Sequence, residues 1–216
     1  YVDPNNDDLL NQLLDYNIVK KYAELSKQNI LQNYDDFNDN GLGSTTHVSV
    51  LDKDGNAASI TTTNGESCGH ILPGTGIILN NMLGEQDLNP LGFHKWNQTK
   101  RMPTLISPSL LIDKSGEVDV VLGSAGSNRI RSAIIQVINN YLFKKMSLKK
   151  SIYEPRLHLE EDYLYLESGI VIDNKLVNNI KINSFKDINL FFGGVNAVTN
   201  TEAIADPRRG GVGLEC

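Results

Sequence analysis

Residues 45–66 read TTHVSVLDKDGNAASITTTNGE, and this run constrains the fold more than any other part of the chain. Val48, Ser49 and Val50 alternate. A polar DKDGN turn follows, and Ala57 to Thr63 extends again. Period-two alternation, an Asp-Gly turn and a second β-branched run specify a β-hairpin. In front of it lies DFNDNGLGS at 36–44, a flexible lead-in. A hydroxyl residue opening the first strand behind such a loop is the layout of an N-terminal nucleophile. It works only after the chain is cut before it, because the freed α-amino group is the base for its own side chain.

Other blocks repeat the theme of loops that present chemistry. PGTGIILNNMLGEQDLNP occupies 73–90, KRMPTLISPS 100–109, GSAGSNRIRSAI 123–134, EPRLH 154–158 and ADPRRGG 205–211. Together with residues 45–66, and in this order, they resemble the small subunit of the γ-glutamyltranspeptidases. The resemblance implies an α+β fold, the four-layer αββα sandwich of N-terminal-nucleophile hydrolases. It assigns residues 1–44 to the tail of a large-subunit segment and 45–216 to the small-subunit catalytic domain. It also implies a precursor that cuts itself between Ser44 and Thr45.

Periodicity gives the remaining layout. Leu9, Leu10, Leu13, Leu14, Val19, Tyr22 and Leu25 predict one or two helices over 7–33. Residues 64–103 carry six glycines, at 65, 69, 74, 76, 84 and 92, and little alternation. So long an irregular stretch signals function or a misassigned element. Leu105–Asp113 and Glu117–Gly123 read as a second hairpin, Ser127–Lys145 as a buried helix and Ser147–Glu154 as a shorter one. Leu164–Glu167, Asn189–Phe192 and Ala197–Asn200 are strand candidates.

Cleaving an amide needs a nucleophile, a proton acceptor, an oxyanion stabiliser and a substrate clamp. Thr45 supplies the first two, since an α-amino group has a pKa of about 7.7–8.0. Thr63, at the far end of the hairpin, is expected beside it. Gly41 and Gly43 ease the turn before the cut. By the resemblance, the backbone N–H groups of Gly126 and Ser127 form the oxyanion hole, and Glu85 binds the donor's α-ammonium, with Asp87 in reserve. Asn80 and Asn81 hold that loop. Gly65, followed by Glu66, stands where the family commonly has an Asn contacting the donor. Thr104 and Leu105 stand where it often has two serines binding the α-carboxylate. Gly65 and Leu105 thus imply a weaker hold on that carboxylate and more tolerance of other acyl donors.

The formal net charge of −6 argues against a nucleic-acid partner, and no apolar run approaches a membrane span. Cys68 and Cys216 give no framework and read as unpaired thiols, with a disulfide between them the alternative. The scattered His47, His70, His94 and His158 read as structural, and no spacing suggests a metal. Arg129 and Arg131 read as braces. The sequence calls for no cofactor. The implied partners are a small γ-glutamyl compound such as glutathione and the large-subunit part of the same precursor, as a possible homo-oligomer of heterodimers. The resemblance favours an extracytoplasmic setting. The reading is a γ-glutamyltransferase or glutathione hydrolase. The alternatives are an acylase for another amide and a non-catalytic γ-glutamyl-binding homologue.

Overall fold

The Asp-Gly turn sets the register that the hairpin needs. In the computed structural model β1 (Thr45–Leu51) pairs antiparallel with β2 (Ala57–Thr63), with Thr45 opposite Thr63 and Leu51 opposite Ala57. Asp52 closes the turn by accepting the backbone N–H groups of Asp54 and Asn56 on Oδ1, at 2.9 and 2.8 Å. The structure describes residues 15–17, 20, 45–173, 177 and 180–215. Of the helical stretch expected over 7–33, Tyr16, Asn17 and Lys20 are helical. The rest of it, the lead-in at 36–44 with Ser44, and Cys216 lie outside the described residues.

The second hairpin forms where alternation placed it, with its first strand shorter. β3 (Ser109–Ile112) pairs with β4 (Val118–Ala125), and β8 (Gly194–Val198) and β9 (Ala203–Ile204) extend the sheet in the order β3-β4-β8-β9. Leu105–Ser107 stay outside the strand. A third sheet joins β5 (Leu157–Glu160), β6 (Tyr163–Leu166) and β7 (Lys181–Ser184), with β6 and β7 parallel.

Helix α1 (Arg129–Leu142) and the short α2 (Leu148–Tyr153) cover the four-stranded sheet. Ser147 caps α2 by accepting the Lys150 N–H. Ile130, Ala133, Ile134 and Val137 of α1 recur at helical spacing. They pack with Val120 and Leu122 of β4, Val195 and Ala197 of β8, and Leu148 and Ile152 of α2. This is the apolar core.

The first hairpin packs on the other face of the four-stranded sheet, and its inward face is polar. Ser59 Oγ donates to the Leu122 carbonyl at 2.9 Å and accepts the Ser109 N–H at 3.1 Å. Ser49 Oγ donates to the Asn196 carbonyl at 3.2 Å. His47 is buried, with its ring against Gly123, where a Cβ would collide with it. Small hydroxyl side chains and a glycine let the two sheets approach closely. The valines of the alternating pattern point the other way: Val48, Val50 and Ile60 are 52%, 49% and 55% exposed. The order hairpin, sheet, helices supplies three of the four expected layers. Among the described residues no helix covers the outer face of the hairpin.

Three strand expectations need correction. Asn189–Phe192 is a 3-10 turn over Leu190–Phe192, because the Asn189 side chain accepts the Phe191 N–H and caps it. The strand expected at Ala197–Asn200 is β8 and ends at Val198, where Thr199 Oγ1 takes the Glu202 N–H in a turn. Glu167 leaves β6, its carboxylate drawn to Arg208 and to the Arg156 N–H. Strands β5, β7 and β9 are not among the strand candidates.

Candidate active site

The hairpin brings its two ends together. Thr45 Oγ1 donates to Thr63 Oγ1 at 2.9 Å, and the Gly65 N–H donates to the same Thr63 oxygen at 3.0 Å. The Thr45 hydroxyl is thereby oriented while its lone pairs remain available to a second partner. Two residues further in, His47 holds the strands in step. Its Nδ1 lies 2.7 Å from Thr61 Oγ1 and its Nε2 2.8 Å from Ser49 Oγ, and Asn196 Nδ2 donates to its carbonyl at 3.2 Å. Burial lowers the His47 pKa from 6.5 to about 4, so the ring is neutral at physiological pH.

A cavity of about 390 Å³ opens at this end of the hairpin. Thr45, Thr63, Gly65, Glu66, Glu85, Thr104, Gly126 and Ser127 all line it, together with Leu105. Every described residue expected at the site therefore faces one cavity, although the contributing stretches lie far apart in sequence.

Gly126 and Ser127 form the turn from β4 into α1. Gly126 has φ +140, and a Cβ there would come within 2.7 Å of Gly193 Cα, so no larger residue fits. Ser127 adopts φ +53, left-handed backbone that a serine holds only when its surroundings impose it. Their carbonyls are engaged, accepting the N–H groups of Arg129 and Ile130 at 3.0 and 3.1 Å. Neither Gly126 nor Ser127 has its own N–H in a hydrogen bond to another described residue. Two adjacent unengaged donors in one cavity with a threonine hydroxyl can receive a developing oxyanion.

Glu85 sits between two 3-10 turns, Met82–Gly84 and Gln86–Leu88. Its Oε1 accepts the Glu66 N–H at 3.1 Å, beside Asn81 Oδ1 at 2.8 Å from the same donor. Asn80 Oδ1 accepts the Met82 N–H at 3.1 Å, so both asparagines hold the loop as their sequence suggested. Burial pushes the Glu85 carboxyl up, opposed by the Glu66 N–H and reinforced by the Glu66 and Asp87 charges. A cation in the cavity would relieve this. Asp87 instead faces Glu160, Arg131, Arg129 and Asn128. Thr104 Oγ1 accepts the Ile106 N–H at 3.2 Å, and Leu105 presents an apolar side chain.

Sequence reasoning missed the opposite wall, formed by Phe185, Asn189, Leu190, Phe191 and Arg209. Arg209 packs on Gly194, where a Cβ would meet its Cδ at 2.7 Å. Arg129 donates to the Phe191 carbonyl at 3.2 Å and to Asn128 Oδ1 at 2.6 Å, and stacks on the Phe191 ring at 4.8 Å, which braces the wall. Behind it, Arg156, Arg208, Glu167 and Asp206 form a buried ionic network. Arg156 also donates to the carbonyls of Phe192 and Gly193, and Asp206 accepts the Val195 N–H. The only signal for this network was the spacing of charges in EPRLH and ADPRRGG, with no local pattern to pair them. Cys68 is exposed and unpaired, on the loop after β2.

The family model described as Gamma-glutamyltranspeptidase matches residues 1–216. The chain is 30% identical over 191 residues to the glutathione hydrolase proenzyme of Pseudomonas aeruginosa, covering 79% of this chain and 34% of that protein. It is 33% identical over 163 residues to the capsule biosynthesis protein CapD proenzyme of Bacillus anthracis, covering 74% and 30%. It thus spans about a third of the length of these curated relatives. Among solved structures, the gamma-glutamyltranspeptidase of Pseudomonas nitroreducens complexed with L-DON superposes with a TM-score of 0.65 at 28% identity. The match covers 79% of this chain and 99% of that one. With the sheet–sheet–helix layers in place, the chain has the fold of the N-terminal-nucleophile hydrolases and belongs to the gamma-glutamyltranspeptidase family.

Proposed function

We propose that this chain is the catalytic part of a self-processing γ-glutamyltransferase or glutathione hydrolase. It cleaves γ-glutamyl amides through an acyl-enzyme on Thr45 and passes the acyl group to water or an amino acceptor. One observation carries the reading: Thr45 and Thr63, the Gly126–Ser127 turn and the Glu85 carboxylate, drawn from distant segments, meet at one cavity.

Maturation comes first. Thr45 attacks the Ser44 carbonyl in an N→O acyl shift, and water hydrolyses the resulting ester. The chain is then cut and an α-amine is free at Thr45. This separates residues 1–44, as the tail of the large-subunit segment, from the catalytic domain at 45–216. The preceding part of the precursor is its partner, and the exposed apolar face of Val48, Val50 and Ile60 gives that part a surface to cover.

Catalysis uses the same groups. The α-amine, with a pKa of about 7.7–8.0, takes the hydroxyl proton as Thr45 Oγ1 attacks the γ-carbonyl. Thr63 keeps the hydroxyl aimed. The N–H groups of Gly126 and Ser127 receive the tetrahedral oxyanion. The protonated amine returns the proton to the leaving nitrogen as the C–N bond breaks. A water or acceptor amine then attacks the ester, its proton going to the same α-amine, which passes it to Thr45 Oγ1 as the ester C–O bond breaks. Glu85 pairs with the donor's α-ammonium, with Glu66 adding negative charge, and Thr104 offers a hydroxyl on the side of the α-carboxylate.

A second reading, an acylase for another amide, is favoured by the apolar lining of Leu105, Phe185, Leu190 and Phe191. One experiment separates the two. The complete precursor is purified, its intact mass recorded, and its rate measured on γ-glutamyl p-nitroanilide. Cleavage before Thr45 together with nitroaniline release supports the first reading. A correctly cut protein that turns over apolar acyl anilides and ignores the γ-glutamyl one refutes it. An uncut protein that binds the anilide without turnover refutes both in favour of a binding role.

A further inference from the structure

Glu85 reaches the cavity because Gly65 has no side chain. Gly65 is buried, at φ +65. A Cβ there would collide with Glu85 Oε1 and Asn81 Oδ1 and lie 3.0 Å from Glu85 Cδ. These same two oxygens accept the Glu66 N–H. The Glu85 carboxylate thus occupies the space a side chain at 65 would fill.

The backbone that carries Glu85 has little freedom to yield. Buried Asn89 donates through Nδ2 to the carbonyls of Met82, Leu83 and Glu85, at 3.3, 3.2 and 2.6 Å, while Trp96 Nε1 donates to Asn89 Oδ1 at 3.0 Å. The Asn81 N–H donates to the Asn64 carbonyl at 3.3 Å, tying this loop to the end of β2. With both backbones fixed, a methyl group at 65 can be accommodated only by moving the Glu85 and Asn81 side chains.

We propose that Gly65 is a positioning residue for the cation subsite of this cavity, and that the Gly65–Glu85 pair sets the selection for acyl donors that carry an α-amino group. The inference rests on the reading of Glu85 as the partner of that ammonium. A carboxylate held beside the Thr63 end of β2, with Glu66 as its charged neighbour, favours an organic cation a few bonds from the acyl carbon reached by Thr45. Displaced outward, it would meet solvent and lose the discrimination.

The test is a double-mutant cycle on the complete, self-processed enzyme: wild type, Gly65→Ala, Glu85→Asp and the double variant. The readout is the ratio of kcat/KM for γ-glutamyl and glutaryl p-nitroanilides, which differ only in the amino group. Intact mass certifies that each variant has matured. Any strain of a non-glycine residue at a left-handed φ enters both arms of the cycle and cancels. Losing a hydrogen bond to a charged group lowers the preference roughly 10–150-fold, so Gly65→Ala is expected to reduce it by that order, mainly through KM. In the Glu85→Asp background, where the shorter acid leaves room, the added methyl should change the ratio by less than about threefold, within the scatter of independent sites. If Gly65→Ala does not mature, rescue of maturation in the Gly65→Ala, Glu85→Asp double variant supports the interlock, and failure of the double variant as well overturns it. Equal effects in both backgrounds overturn the interlock. Glu85→Gln tests the underlying reading separately: an unchanged ratio there removes the cation subsite itself.

Discussion

Protonating His47 should loosen the contact between the two sheets, and its size follows from the site. The ring is 4% exposed, hydrogen-bonded to Thr61 and Ser49, and lies where a Cβ on Gly123 would be. Burial lowers its pKa from 6.5 to about 4. At about 1.4 kcal/mol per pH unit, the folded state's preference for the neutral ring is worth about 3 kcal/mol. The sign follows from the lowered value. Between pH 6.5 and 4 the unfolded chain binds the proton and the folded chain does not. Stability from this group is complete above pH 6.5, is lost as the pH falls toward 4, and is constant below. The assay is urea unfolding of the matured protein from about pH 8 to 4, in wild type and His47→Gln, whose amide keeps the hydrogen-bonding capacity without titrating. Other acids titrate in this window and cancel in the difference. The wild-type advantage over His47→Gln should shrink by about 3 kcal/mol between about pH 7 and 4. A pH-independent difference would refute the assignment of a buried neutral ring.

Other substitutions probe the chemistry and its support. Thr45→Ala should remain uncut and inactive, while Thr45→Ser should cut and keep reduced activity; intact mass with the anilide assay decides, and full activity of Thr45→Ala would end the nucleophile assignment. Leu105→Ser should raise the preference for γ-glutamyl over 4-aminobutyryl anilide, which lacks the α-carboxylate, by an amount worth about 1.5–3 kcal/mol if the new hydroxyl reaches that group; an unmoved ratio places the carboxylate elsewhere. Asp206→Asn removes a charge facing both Arg156 and Arg208 and leaves one acceptor oxygen where two now serve these guanidinium groups and the Val195 N–H. Breaking such a buried network should cost about 3–5 kcal/mol in urea unfolding and disturb the Gly193 backbone under Gly126, whereas a loss under about 1 kcal/mol would show the network to be dispensable.

Local chemistry made much of this protein legible from its sequence. An Asp-Gly turn between β-branched runs has few backbone solutions, so the first hairpin and the Thr45–Thr63 pairing follow from order along the chain alone. The periodicity of Ile130, Ala133, Ile134 and Val137 specified α1, and the glycine-rich stretch between the hairpins is irregular and contributes Gly65, Glu66, Met82, Glu85 and Leu88 to the cavity lining. Tertiary structure decided what local preference leaves open. Alternation marks two faces without saying which is buried, and the polar face of the first hairpin turned inward because Ser49 and Ser59 find backbone partners on the opposing sheet, Asn196 donates to the His47 carbonyl, and the His47 ring fits against Gly123. Asn189–Phe192 has strand-like residues, but a single side-chain cap made it a turn. The pairing of Arg156 and Arg208 with Glu167 and Asp206 joins segments that only packing brings together. The same holds for Gly65 and Glu85: the glycine reads as a lost side chain in sequence, and in space it is the room that the carboxylate occupies.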